Sequence, residues 1–235
     1  LSASDAEGQS ISYSIADTGD GALFEVDGSN QLKLKSLVSA DFETKPIYSV
    51  TVEASDGDRT TSEVFSISVG DVNEAPTLTV PTGSSVTEDA VASTITGSLA
   101  GSDPDGDDLT YLMPGKTAVD GSYSVTGTYG TLDLNASTGA YTYSLNNSAS
   151  AVDALGGSSS ETETFEVQVT DGTNTPAAQN LSFTIQGAND APSSVALSSS
   201  SVVENSQGAI VGTLSASDAE GQSISYSIAD TDDGA

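Results

Sequence analysis

Several reactive residue types are missing from this 235-residue sequence, which has no cysteine, no histidine, no tryptophan and a single methionine. Without histidine or cysteine the chain cannot build a serine–histidine–aspartate triad, a cysteine nucleophile, a zinc finger or a disulfide framework. The chemistry that remains is that of carboxylates, which bind hard cations or act as an acid and base pair.

Basic residues are scarce: 5 Lys and Arg stand against 34 Asp and Glu, the net charge is −29, and none follows Lys116. The chain lacks the cations that nucleic-acid binding requires, so we expect no nucleic-acid partner. No run approaches the roughly 20 apolar residues of a membrane span, and we expect no span in this segment. Residues 1–8 contain neither an initiator Met nor a signal peptide, which indicates an excerpt of a longer protein.

Apolar and polar residues alternate in four segments, Ile11–Ile15, Phe65–Val69, Phe165–Val169 and Phe183–Ile185. Alternation with period two predicts strands that bury one face. Clusters of Gly, Asn, Asp and Pro recur about every 8–12 residues, which is typical of a β-sandwich. Disorder is disfavoured despite the negative charge, because charged residues make up only 17% of the chain and hydrophobic residues 36%. The sequence therefore predicts an all-β protein.

The chain repeats itself: residues 1–22 and 214–235 differ only at Gly19, which is Asp232 in the second copy. Two similar segments that end in Ala-Pro, at 71–76 and 187–192, predict linkers. We therefore expect a domain at 1–76 that lacks its first strand, a complete domain at 77–192, and the first strands of a further copy at 193–235. Strands are predicted near 1–4 and 10–16 in the first domain, and near 195–204, 209–217 and 223–229 in the last segment.

The motifs of the first unit resemble those of a cadherin repeat. They are Val203-Glu204-Asn205 (in the second copy), Asp5-Ala6-Glu7-Gly8, Asp41-Phe42-Glu43, Ala54-Ser55-Asp56-Gly57 and Asp71-Val72-Asn73-Glu74-Ala75-Pro76. The middle unit resembles a VCBS repeat, a cadherin-like relative in large bacterial (RTX-type) surface proteins. Its motifs are Ser102-Asp103-Pro104-Asp105-Gly106-Asp107, Thr138-Gly139-Ala140-Tyr141, Val169-Thr170-Asp171-Gly172 and Asn189-Asp190-Ala191-Pro192. The resemblance implies tandem Greek-key sandwiches in an extended rod.

Four pairs of carboxylates are two residues apart: Asp5 and Glu7, Asp41 and Glu43, Asp103 and Asp105, and Asp218 and Glu220. In an extended segment the two members would point to the same side and repel each other unless a cation lies between them. Ca²⁺ takes six to eight oxygen ligands in irregular geometry, whereas Mg²⁺ demands a stricter octahedron. Asp and Asn also cap turns with their side chains, and this alternative stays open.

The resemblance places Ca²⁺ at the two linkers, with ligands from both flanking domains. At the first linker it implies Asp41, Glu43, Asp71, Asn73, Glu74, Asp103, Asp105 and Asp171. At the second it implies Glu88, Asn189, Asp190, Asp218 and Glu220, and fewer ions, because Gly187 replaces the first linker Asp. Further metal candidates in these motifs are Asp5, Glu7, Asp56, Asp107 and Glu204, although Asp107 fits a solvated loop equally well.

The leading functional hypothesis is mechanical. The resemblance implies a calcium-rigidified spacer of a secreted or cell-surface bacterial adhesin or fibre, active in adhesion, biofilm or matrix, with neighbouring repeats as partners and head-to-tail self-assembly as an option. One alternative is a binding module for surface glycans or for its own kind. Another is a carboxylate glycosidase, which we disfavour because the paired carboxylates lie in calcium-type motifs at domain ends. We therefore expect no enzyme activity.

Overall fold

The computed structural model describes residues 1–228, which form seventeen strands, a 3-10 turn at Gly21–Leu23 and one short helix, α1 (Ser150–Asp153). No helix among these residues has the length and apolarity to cross a membrane. The chain divides into two compact units, Leu1–Glu74 and Ala75–Ala235. Residues 193–228 thus group with the second unit.

Unit 1 contains a three-stranded antiparallel sheet in the order β1-β4-β5 and a separate hairpin, β2-β3. Tyr48, Val50 and Val52 alternate along β4 and bury one face, where the Phe24 ring meets Tyr48 edge to face at 5.6 Å. The strands are β1 (Ser12–Gly19), β2 (Phe24–Val26), β3 (Leu32–Leu34), β4 (Ile47–Ser55) and β5 (Thr60–Ser68).

Two expectations for unit 1 need correction. Residues 1–4 form no strand, and the side chains of β5 are exposed or half-buried along its whole length. Phe65 pairs with the buried Val50 on the inner face, yet it is 38% exposed. The alternating pattern that predicted β5 is correct, but no strand covers its apolar face within unit 1.

Unit 2 contains two four-stranded sheets, in the orders β10-β14-β15-β7 and β11-β12-β13-β8, and a short pair, β6-β9. The two sheets enclose one core that draws on strands from each, which confirms the predicted all-β sandwich. The strands are β6 (Thr77–Thr79), β7 (Ser84–Thr87), β8 (Thr94–Ser98), β9 (Ala100–Ser102), β10 (Thr110–Leu112), β11 (Ser122–Thr126), β12 (Gly130–Asn135), β13 (Ala140–Leu145), β14 (Ser160–Thr170) and β15 (Gln179–Gln186).

Aromatic residues join the two sheets at the centre of this core. The Tyr143 ring of β13 stacks on the Phe183 ring of β15 with centroids 4.3 Å apart. Phe165 and Phe183 are buried at alternate positions of β14 and β15, as their sequence patterns predicted. Ring stacking of this kind adds to the free energy gained from burying apolar area.

A buried carboxylate anchors one turn of the sandwich. Glu163 on β14 accepts the Tyr143 hydroxyl at 2.7 Å and the N–H groups of Thr128, Tyr129 and Gly130 in the turn between β11 and β12. A Cβ on Gly127 would overlap this carboxylate, which explains the glycine. Glu163 is therefore a structural residue of the core.

Residues 193–228 form a two-stranded antiparallel pair, β16 (Ser193–Leu197) with β17 (Leu214–Ser217). These strands are shorter than those predicted near 195–204 and 209–217, and residues 223–228 form no strand. Position 229 of the last predicted strand lies outside the described residues. Two strands without a covering layer bury little apolar area, which explains why pairing stays short here.

Candidate metal centre

Carboxylates from neighbouring chain segments converge at one end of the complete sandwich. Oxygen atoms of Glu88, Asp89 and Asp190 all lie within 4.8 Å of one another. Glu88 and Asp89 directly follow β7, and Asp190 follows β15 in the linker. Because β7 and β15 are parallel, both strands end at the same edge of the sheet, which brings these side chains together.

Backbone hydrogen bonds fix the two segments. The Glu88 N–H donates to the Gln186 carbonyl at 2.9 Å, and the Ala188 N–H donates to Glu88 Oε2 at 3.2 Å. Glu88 is only 3% exposed, whereas Asp89 is exposed and adopts a left-handed backbone with φ of 55°. The turn at Asp89 reverses the chain, so that consecutive carboxylates lie beside the same linker.

A third segment, the turn at 218–222, also contacts the linker. The Asp190 N–H donates to Glu220 Oε1 at 2.7 Å, and Gln222 Nε2 donates to Asn189 Oδ1 at 2.8 Å. Asp218 Oδ1 accepts the Gln222 N–H at 2.8 Å and holds the turn closed. The linker therefore contacts both the sandwich and the segment that follows it.

Electrostatics at this centre disfavour the charged carboxylates. Burial raises the pKa of Glu88, with Asp190, Asp89 and Glu220 adding repulsion, although the bond from Ala188 lowers it. Burial likewise raises the pKa of Asp190, and the carboxylates of Asp89, Glu220 and Asp153 raise it further. No Lys or Arg follows position 116, so this stretch of chain provides no cation of its own.

The donor set fits a hard divalent cation. Asp190 Oδ2 and Glu220 Oε2 are buried and have no hydrogen-bond partner within residues 1–228. A buried, unpartnered carboxylate oxygen is costly, and a coordinated cation would satisfy it. Carboxylate oxygens, which this centre offers from Glu88, Asp89, Asp190 and Glu220, are ligands that Ca²⁺ prefers.

The pairs of carboxylates two residues apart are not extended, which corrects the geometry expected for them. In three of the pairs the first Asp closes a tight turn. Asp5 Oδ1 accepts the N–H groups of Glu7 and Gln9, Asp103 Oδ1 accepts those of Asp105 and Asp107, and Asp218 Oδ1 accepts that of Gln222. A glycine of positive φ follows each, Gly8, Gly106 and Gly221. The side-chain cap and the left-handed glycine together favour a turn over a strand.

Other predicted ligands also cap turns. Asp41 Oδ1 accepts the Thr44 N–H at 2.7 Å, Asp56 Oδ1 accepts the N–H groups of Asp58 and Arg59, and Asp171 Oδ1 accepts the Thr173 N–H. Hydrogen bonds from the backbone lower the pKa of Asp56. Each of these Asp side chains therefore caps a turn with one of its oxygens.

The remaining candidates occupy separate places. Within unit 1 the carboxylates of Glu43 and Asp71 lie within 4.8 Å of each other, and both side chains are exposed. Asn73 and Glu74 follow Asp71 and are also exposed. In the described part of unit 2, Glu204 lies exposed in a turn and is not among the clustered carboxylates.

Sequence reasoning missed two residues of the centre. Asp89 follows Glu88 directly, and the adjacent acidic pair was the available signal. Asp153 ends α1 and raises the pKa of Asp190 by repulsion, but it matches no ligand spacing. Its proximity depends on the fold of the loop between β13 and β14, which no local motif specifies.

The fold defines a class: an all-β protein that contains a cadherin-like β-sandwich. Residues 73–187, which include every strand from β6 to β15, match the family model described as a bacterial cadherin-like domain. A comparison with curated proteins gives no match.

Solved cadherin structures share the fold. Human protocadherin-24 EC1-2 (form II) gives a TM-score of 0.55 at 17% identity, covering 80% of this chain and 87% of that one. Protocadherin gamma B2 extracellular cadherin domains 3-6 give a TM-score of 0.53 at 18% identity, covering 89% of this chain and 48% of that one. Human CDH23 EC21-23 gives a TM-score of 0.53 at 18% identity, covering 89% of this chain and 68% of that one. At these identities the similarity shows the fold alone.

Proposed function

We propose that the chain is a calcium-stabilised structural repeat of an extracellular bacterial adhesion protein. The observation that carries the proposal is the convergence of Glu88, Asp89, Asp190 and Glu220 on one linker, with two buried oxygens that lack partners among residues 1–228. Cadherin-like domains serve adhesion and mechanical support, and the proposal assigns no catalytic step.

Calcium would act at the linker that joins the sandwich to the segment after it. Glu88 and Asp89 belong to the sandwich, Asp190 to the linker, and Glu220 to the following turn. A bound cation supplies positive charge that attracts all of these carboxylates, which otherwise repel each other. Metal binding would thus fix the linker to its neighbours on both sides.

The composition supports an extracellular location for this repeat. The net charge of −29 and the absence of Cys suit a soluble, metal-dependent surface that does not rely on disulfides. The similar gamma B2 structure is described as extracellular cadherin domains. The proposal includes a role as a spacer in a large VCBS-type or RTX-type adhesin of a biofilm or matrix.

Calorimetric titration of the chelator-treated chain with Ca²⁺, and separately with Mg²⁺, tests the proposal. We expect binding of Ca²⁺ with dissociation constants of about 10⁻⁴–10⁻³ M and weaker binding of Mg²⁺. Asp190→Asn should remove at least one binding event, whereas Asp133→Asn, at an exposed strand position, should not. Absence of Ca²⁺ binding at millimolar concentration would overturn the proposal.

A further inference from the structure

The two linkers differ at their first residue. Asp71 begins the first linker, whereas Gly187 occupies the matching position of the second, because both six-residue segments end in the same Ala-Pro. An aspartate can place a carboxylate oxygen beside a bound cation, and a glycine cannot. The surroundings of Gly187 therefore decide whether the second centre lacks a ligand at this position.

Two backbone carbonyls fill the space beside Gly187. A Cβ added at this position would lie 2.4 Å from the carbonyl oxygen of Leu155 and 2.5 Å from that of Gly156. Both distances are far shorter than a van der Waals contact, so a side chain fits here only if the backbone of residues 155 and 156 moves. The glycine thus permits a close approach of oxygen atoms, and the position is not a gap.

The loop that supplies these carbonyls is fixed by the core. We call the connection between β13 and β14, residues 146–159, the α1 loop. Val152 and Leu155 are its buried residues and belong to the core of the sandwich. The Leu155 N–H donates to the Val152 carbonyl at 2.8 Å, and the Gly187 N–H donates to the Ser159 carbonyl at 3.0 Å. Packing on one side and the linker on the other therefore hold the Leu155 carbonyl in place.

The same loop borders the linker where the acidic centre lies. A Cβ on Gly157 would lie 3.4 Å from the backbone nitrogen of Asn189, so these two backbones are close neighbours. Asp153, at the end of α1, is near enough to repel the carboxylate of Asp190. The α1 loop is therefore part of the surroundings of the centre.

Hydrogen bonding distinguishes the two carbonyls. The Gly156 carbonyl accepts the Ser159 N–H at 2.7 Å and closes a turn, whereas the Leu155 carbonyl accepts no hydrogen bond from any residue within 1–228. Leu155 is buried, and a buried carbonyl without a donor costs free energy unless another group satisfies it. A cation would satisfy this oxygen.

The unpartnered oxygen and a buried carboxylate contact consecutive residues of the linker. The Leu155 carbonyl lies against Gly187, and Glu88 Oε2 accepts the N–H of the next residue, Ala188, at 3.2 Å. The carbonyl is therefore placed beside the centre at the level of its most buried carboxylate.

We propose that the carbonyl oxygen of Leu155 is a ligand of the cation at the second linker, where it takes the place of the aspartate that begins the first. This inference rests on the proposed function of the centre as a calcium site. Backbone carbonyls are ordinary ligands of Ca²⁺. Because a carbonyl is neutral, the second linker binds its cation with one negative charge fewer at this position.

Gly187→Asp separates this proposal from a missing ligand, because it gives the second linker the first residue of the first. A gap at 187 would accept the new carboxylate, and calcium would bind more tightly. If the carbonyls fill the position, the added Cβ displaces Leu155, and calcium binding at this centre should weaken by about tenfold. Calorimetric titration measures the change, with Asp190→Asn identifying the binding event.

Gly187→Ala should cause a similar loss, since it adds the same Cβ without a carboxylate. Gly28→Ala is the matched control, because a Cβ at that position would meet no atom within 4 Å. Circular dichroism of each variant checks that the β-structure is retained.

Carbonyl ¹³C NMR of the isotope-labelled wild-type chain tests the ligand directly and requires no substitution. On addition of Ca²⁺, the resonance of the Leu155 carbonyl should shift with the same midpoint as the binding event that Asp190→Asn removes. The Val152 carbonyl is the internal control, because it lies in the same loop and already accepts the Leu155 N–H. It should shift much less. A loop that only supports the linker would not produce this difference.

The possible failures are distinguishable. Tighter calcium binding by Gly187→Asp than by wild type, or a Leu155 resonance that stays in place while wild type binds calcium, would refute the carbonyl ligand and leave the calcium site standing. Absence of calcium binding by wild type would remove the proposed function and this ligand together. If both Gly187 variants fail to fold, the carbonyl resonance of wild type decides the question.

Discussion

The backbone N–H of Asp190 donates a 2.7 Å hydrogen bond to Glu220 Oε1, and so joins the linker after the sandwich to a turn thirty residues further along the chain. In the described part of the chain, the other carboxylate oxygen of Glu220 is buried without a hydrogen-bond partner, as is one oxygen of Asp190. This hydrogen bond holds the Glu220 carboxylate against the Asp190 backbone, as the proposed cation site requires.

Glu220→Gln should weaken calcium binding by about tenfold or more, because it removes a negative ligand while keeping the shape of the side chain. Glu7→Gln is the matched control, since Asp5-Ala6-Glu7-Gly8 repeats Asp218-Ala219-Glu220-Gly221 and Glu7 is exposed. Calorimetric titration of both variants measures the difference. Equal losses would exclude Glu220 as a specific ligand.

Chelation should loosen the linker before it unfolds the sandwich. Without a cation, the carboxylates of Glu88, Asp89, Asp190 and Glu220 repel each other, whereas the core is held by apolar burial. Hydrogen exchange should therefore accelerate in chelator at the N–H groups of Ala188 and Asp190. The Gly130 N–H, which donates to Glu163, should keep its protection. Simultaneous loss of both would mean that calcium holds the core.

Acidity should stabilise the metal-free linker. The pKa values of Glu88 and Asp190 are raised in the folded state above the ordinary 4.5 and 3.8. Their contribution to stability is fully present below those ordinary values and is lost as pH rises through the raised values. Urea unfolding in chelator should therefore show a stability advantage of wild type over Glu88→Gln that shrinks as pH rises from acid to neutral.

Calcium should reverse this trend, because it binds the deprotonated carboxylates. The stabilisation from added Ca²⁺ should grow as pH rises through the raised pKa values and vanish in acid. Asp20 in unit 1 titrates in the opposite sense, since Lys45 and the Ser49 N–H lower its pKa and its contribution is lost as pH falls. Comparing wild type with Glu88→Gln therefore separates the pH dependence of stability that comes from the linker from that of Asp20 in unit 1.

Strands could be predicted from the sequence because alternation of apolar and polar residues indicates a strand with one apolar face. Phe165, Val167 and Val169 alternate and are buried in β14, as predicted. Phe65 alternates in the same way but remains partly exposed, because burial needs a second layer that local pattern does not contain. The acidic motifs predicted Glu88, Asp190 and Glu220 as ligands, and that assignment stays a prediction. The proximity of Asp89 to Asp190 depends on the pairing of β7 with β15, and that of Asp153 on the loop between β13 and β14, which local sequence does not specify.

Glu163→Ala should destabilise unit 2 strongly. The Glu163 carboxylate accepts the Tyr143 hydroxyl and three backbone N–H groups in the core, and each buried donor left without an acceptor costs about 1–3 kcal/mol. Burial, and then the bond to Glu163, raises the pKa of Tyr143, so the phenol stays protonated and keeps donating. We therefore expect a loss of at least about 2 kcal/mol in the free energy of unfolding.

Glu161→Ala is the matched control, because Glu161 is exposed two residues earlier on the same strand. It should change the free energy of unfolding by less than about 0.5 kcal/mol. Denaturant unfolding of both variants measures the contrast, and equal stability would show that water replaces the carboxylate as acceptor at no cost.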